Sequence, residues 1–86
     1  MDQIPPGTGL IVDGLGDKIP ESELRRLCEQ VGVVRFIKIS TRPDGSTFGL
    51  VIMGSVEEAR DAILKFHGTH HRGTIMQLKL KQEDRG

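Results

Sequence analysis

VRFIKISTRPDGSTFGLVIM, residues 34–53, carries two strand-like segments on either side of a turn. The first, VRFIKIS (34–40), is β-branched and aromatic, which suits a pleated and half-buried surface. Arg42-Pro43-Asp44-Gly45 follows. Proline fixes φ, aspartate bonds nearby backbone and glycine accepts a left-handed conformation, so these residues predict a turn with a flexible tip. STFGLVIM (46–53) resumes the strand pattern. The whole stretch predicts an antiparallel hairpin.

The flanks extend this hairpin in a regular order. Upstream, Leu24, Leu27, Cys28 and Val31 fall at i, i+3, i+4 and i+7, a helical stripe. Pro20 suits its first turn, Glu21 and Glu23 suit the positive end of its dipole, and Gly32 stops it. Before that helix, GLIVDGLG gives a short apolar run ended by Gly14 and Gly16, a buried strand. Downstream, Ser55 and Glu58 form a capping box, and Val56, Ala59, Ile63 and Phe66 line a second helix closed by Gly68. Last, TIMQLKLK alternates, with Met76, Leu78 and Leu80 on one face and Gln77, Lys79 and Lys81 on the other. The order is βαββαβ. It predicts an α+β, ferredoxin-like sandwich, a four-stranded antiparallel sheet with two helices on one face. The other face is left to solvent or a partner.

The chain's 86 residues suffice for one domain. A flexible lead-in (1–8), the folded unit (9–82) and a polar tail (83–86) divide it, as expected for one domain of a longer protein. No apolar run reaches the roughly 20 residues of a transmembrane helix, and the first residues lack the layout of a signal peptide. With the single Cys28 there is no internal disulfide framework. These features predict an intracellular chain, in nucleus or cytoplasm, with no membrane partner. Twelve Lys and Arg against twelve Asp and Glu leave no net basic field, and three Phe with no Tyr or Trp leave little stacking surface.

Across nearly its whole length the sequence resembles the RNA recognition motif family. LIVDGL (10–15) is similar to the family's first-strand motif, and STFGLVIM (46–53) to its third-strand motif, K/R-G-F/Y-G/A-F-V-x-F/Y. LRRLCEQVGVV resembles its first helix and the turn after it, and FHGTHHRGTIMQL its passage into strand four. The resemblance implies single-stranded RNA as partner, with bases stacked on strands one and three. The positions that would carry those bases are Ile11, Phe48 and Leu50, of which Phe48 alone keeps a ring. Base–aromatic stacking is worth about 1–3 kcal/mol per base, so two missing rings imply a loss of roughly 2–6 kcal/mol. Ser46 replaces the basic residue that opens the third-strand motif.

Charge is segregated within the neutral total. Arg35, Lys38 and Arg42 lie together without an acid, as do Lys65, Arg72, Lys79 and Lys81, whereas acids gather on the helices. Lys38 and Lys79 are expected on the open sheet face, which becomes locally positive there; the alternative is that strand lysines only keep the face and its edges soluble. Asp13 shares that face and opposes RNA locally. Phe36, by parity, joins Ile11, Phe48, Leu50 and Ile52 in an apolar patch suited to a protein partner or self-association.

Other chemistries find no support. His67, His70 and His71 lack a carboxylate or Cys to complete a metal site and are expected in a solvated, flexible loop. Cys28 sits on the core stripe as a small hydrophobe. Gly14-Leu15-Gly16 leads to Ile19 where a phosphate-binding pattern needs Gly. No nucleophile motif or paired carboxylates appear, so neither catalytic residues nor a cofactor are expected. Copper-chaperone-like domains need a Cys-x-x-Cys that is missing, acylphosphatase-like enzymes need a different first loop, and amino-acid-binding regulatory domains would not explain STFGLVIM. The peptide-capturing branch of the family carries Arg-x-Phe where Thr69-His70-His71 stands.

Two readings follow. In the first, a single module binds single-stranded RNA with modest affinity: Phe48 stacks, Ile11 and Leu50 form an apolar floor, Lys38, Arg42 and Lys79 meet phosphates, and Gln77 reads a base edge. In the second, a protein-interaction module uses Ile11, Phe36, Phe48, Leu50 and Ile52 as anchors.

Overall fold

The computed structural model describes residues 7–14, 20–71 and 73–81. The lead-in up to residue 6, Leu15, Gly16, Ile19, Arg72 and the tail from residue 82 lie outside the described residues. Element order is β1 (Gly9–Asp13), α1 (Glu21–Glu29), β2 (Val34–Thr41), β3 (Thr47–Met53), α2 (Val56–Phe66), β4 (His70–His71), β5 (Thr74–Ile75) and β6 (Gln77–Leu80). The main sheet runs β2-β3-β1-β6, every neighbouring pair antiparallel. The expected βαββαβ sandwich is the fold observed.

Both helices bury one stripe against the same sheet face. Leu24 and Cys28 of α1, with Ala59, Ala62 and Phe66 of α2, pack on Leu10, Val12, Ile37, Val51, Met53, Met76 and Leu78. The small alanines let α2 approach the strands closely, and the branched and thioether side chains fill the layer between. The Ser55 hydroxyl accepts from the Glu58 N–H at 3.2 Å, the cap expected from the sequence. The Glu58 carboxylate, however, accepts from the Val33 N–H at 3.3 Å, pinning the approach to β2 onto α2.

The last strand differs from expectation. TIMQLKLK is not one strand, because the backbone of Met76 leaves the ladder. Its N–H donates to the Thr69 carbonyl at 2.8 Å, and its carbonyl accepts from the Gly68 N–H at 2.7 Å. Pairing with β1 therefore begins at Gln77, opposite Asp13, while His70–His71 and Thr74–Ile75 form a separate small hairpin. The expected loose histidine loop is corrected in the same place. His67 Nδ1 accepts from the Leu78 N–H at 3.0 Å, which occupies a backbone donor of β6.

Burial pushes the Cys28 thiol up from an ordinary 9.0 to about 11, with the charge of Glu29 adding to the effect. A raised folded-state value favours the protonated form, so this contribution to stability is complete below about pH 9 and is lost as pH rises through about 11. The native protein at pH 8 should leave Cys28 unlabelled by a thiol-alkylating reagent and label fully once unfolded in denaturant. Rapid native labelling would place the thiol at the surface.

Candidate nucleic-acid interface

Period-two alternation builds the sheet face opposite the helices. β1 turns Leu10 and Val12 into the core, so Ile11 and Asp13 face outward; β3 buries Val51 and Met53, so Phe48, Leu50 and Ile52 face outward. Strand register then aligns side chains across the sheet. Lys38 stands opposite Leu50, Leu50 opposite Ile11, and Ile11 opposite Lys79. This row is an aliphatic floor with an exposed ammonium group at each end. Three strand spacings separate its lysine positions, about 14 Å.

The rows on either side differ in character. In one, Phe36 pairs with Ile52, Ile52 with Gly9, and the Lys81 N–H donates to the Gly9 carbonyl at 2.8 Å. Lys81 joins Ile11, Lys79 and Leu80 in lining a shallow groove along the β1–β6 edge. Its place on this face was already implied by the alternation of Gln77, Lys79 and Lys81. Ile52 is only 8% exposed and offers little surface, whereas Phe36 is 44% exposed at the edge of β2.

The other flanking row holds the ring. Ser40 stands opposite Phe48, and Asp13 opposite Gln77. Arg42, anticipated as a free phosphate contact, lies instead across this row. Its guanidinium carbon is 4.5 Å from the Phe48 ring centroid, and Nη1 is 2.7 Å from Asp13 Oδ1. The hydrogen bond to Asp13 raises the already high pKa of Arg42 further. Sequence alternation placed Asp13 on the face, but no local signal joined it to a residue 29 positions away.

The turn that carries Arg42 is tied, not loose as expected. The Arg42 N–H donates to the Ser46 carbonyl at 2.7 Å, and the Gly45 N–H to the Arg42 carbonyl at 2.9 Å. Asp44 Oδ1 accepts from the Ser46 N–H and hydroxyl, at 2.9 and 2.7 Å. These bonds, first the backbone one, hold the Asp44 carboxyl below its usual pKa, and the Arg42 charge contributes.

Among the described strand residues, Asp13 is the acid on the open face, and its charge is answered by Arg42. Lys38 and Lys79, with Lys81 beyond the end of β6, then leave the face positive in a neutral chain. Among the described residues, no cluster of three or more His, Cys, Asp or Glu is placed to hold a metal, and no helix is long and apolar enough to cross a membrane.

Comparison with known proteins agrees with this architecture. Residues 10–77 match the family described as the RNA recognition motif. The chain is 30% identical over 82 residues to polyadenylate-binding protein 7 of Arabidopsis thaliana, and 27% identical over 81 residues to heterogeneous nuclear ribonucleoprotein Q of the same plant. Each alignment covers 91% of this chain but only 14% and 16% of the respective relative. Among solved structures, the chain holding RNA recognition domains 1 and 2 of Sex-lethal from Drosophila melanogaster matches over half its length, with a TM-score of 0.79 at 22% identity, covering 88% of this chain and 50% of that one. The Rna15 domain solved with bound GU RNA also gives 0.79, at 16% identity, covering 91% of this chain and 86% of that one.

Proposed function

This chain belongs to the RNA recognition motif family, a family of binding domains rather than enzymes, and from that premise we propose that it binds single-stranded RNA on its open sheet face. The observation that carries this reading is the row Lys38–Leu50–Ile11–Lys79 lying beside the Phe48 ring. An apolar floor with an ammonium group at either end suits bases in the middle and phosphates outside. Phe48 supplies the π-face, Lys38, Lys79 and Lys81 the charge, and Gln77 an amide for a base edge. Arg42 reaches a phosphate only after leaving Asp13. Such a ligand is met in the nucleus or the cytoplasm. The chain spans 14–16% of the length of the curated relatives it matches; a module of this kind joined to another RNA-binding domain gains affinity through effective concentration.

The test is an amide NMR titration with a degenerate pool of short single-stranded RNA. Shifts should cluster at Lys38, Phe48, Leu50 and Gln77. With three lysines on phosphates and a slope of about −0.7 per contact, raising salt from ~50 to ~200 mM should weaken binding about 20-fold. Shifts that avoid this face, or an affinity indifferent to salt, would sink the reading. The exposed Phe36 beside Ile52 and Leu50 favours a second one, a protein partner or second copy held on the apolar patch. That contact would persist at high salt.

A further inference from the structure

The ring that this reading assigns to a base already has an occupant. The Arg42 guanidinium, planar and cationic, lies over Phe48 at 4.5 Å, within stacking distance. Three constraints hold it there. The bonded turn from Arg42 to Ser46 fixes its backbone, the Phe48 ring lies beneath its guanidinium carbon, and Asp13 Oδ1 holds Nη1 at 2.7 Å. Asp13 is itself fixed in place. It ends β1 directly opposite Gln77, and the Gly14 carbonyl that follows accepts from the Thr74 hydroxyl at 2.6 Å.

We propose that Arg42, clamped by Asp13, is a built-in lid on the Phe48 ring which an incoming base must displace, so that Asp13 sets the affinity and salt dependence of the RNA face. The proposal rests on the base-stacking role of Phe48 given above. A base and a guanidinium compete for one aromatic face, and the aspartate biases that competition toward the closed arrangement. Opening does not discard the arginine. Moved off the ring, it stays paired with the Asp13 carboxylate at the edge of the row, and only where that carboxylate is removed does its charge become available to the phosphate beside the stacked base. Asp13 thus acts as a positioning residue for Arg42, and its carboxylate touches no part of the RNA.

Asp13→Asn is the informative change, since it keeps the shape and removes the anchoring charge. It should tighten RNA binding about three- to tenfold, the scale of one exposed ion pair plus the released charge. The log–log salt slope should steepen by about 0.7, one more phosphate contact. Loss of a carboxylate also reduces repulsion of RNA, so an uncharged methylphosphonate oligonucleotide of the same base composition provides the control. On that probe repulsion is absent, and both Asp13→Asn and Arg42→Gln should still tighten binding by uncovering the ring. Phe48→Ala should abolish both gains.

RNA binding that depends on Phe48 but is unchanged or weakened by Asp13→Asn would overturn the lid and leave the platform standing. Tightening confined to charged RNA would also overturn it, because charge alone would then account for the gain. Binding with no dependence on Phe48 would overturn the platform reading and the lid together.

Discussion

Gly14→Ala should destabilise the domain by about 2–5 kcal/mol, against a net stability on the order of 4–13 kcal/mol for a chain of this length. Two separate costs combine. Gly14 has φ +76°, a conformation that an L side chain enters at roughly 1–2 kcal/mol. A Cβ there would also run into the backbone of Ile75, whose carbonyl carbon would lie 2.9 Å away, with Met76 Cα at 3.2 Å. Backbone cannot swing aside like the end of a lysine, so the hairpin of β4 and β5 would be forced off β1 at about 1–3 kcal/mol more. Gly45→Ala separates the two costs. It has φ +92° and open space for 4 Å around the point where a methyl would stand, so only the conformational cost applies. Denaturant unfolding should rank native above Gly45→Ala above Gly14→Ala. Equal losses for the two variants would show that the approach of Ile75 costs nothing.

The contrast between those glycines shows what this sequence displays and what it conceals. Gly45 announces its role through its neighbours, Pro43 and Asp44, because turn chemistry is local. Gly14 reads only as the end of an apolar run, since the carbonyl that crowds it belongs to a residue 61 positions later. The same division holds for the face. Alternation with period two places Ile11, Lys38, Leu50 and Lys79 outward, and antiparallel order brings them into one row. Legible residues end there. The reach of Arg42 over Phe48 to Asp13, the departure of Met76 from its ladder and the His67 bond to Leu78 each depend on long-range approach. Ile52 shows the limit of parity itself. It faces outward by register, yet neighbouring groups leave only 8% of it exposed.

Phe48→Ala should lower RNA affinity by about a factor of ten, within a range of roughly 5- to 150-fold, while leaving the fold intact. The ring stands on the open face, outside the cluster formed by both helices and the inward strand residues, so its loss opens no cavity there. All aromatic stacking on strands one and three rests on this side chain, because Ile11 and Leu50 offer dispersion but no π-face. One base stacked on one ring is worth about 1–3 kcal/mol, a factor of roughly 5 to 150. Phe48→Leu distinguishes aromaticity from bulk. It retains apolar volume and should lose most of the affinity that alanine loses, whereas Phe48→Tyr should keep it. A denaturation midpoint near the native one must accompany the loss, since a general unfolding would lower affinity for a different reason. Retention of full affinity by both Phe48→Ala and Phe48→Leu would leave the lysines as a purely electrostatic surface. Binding would then fall when Lys38 and Lys79 are replaced, and the ring would serve only as a seat for Arg42.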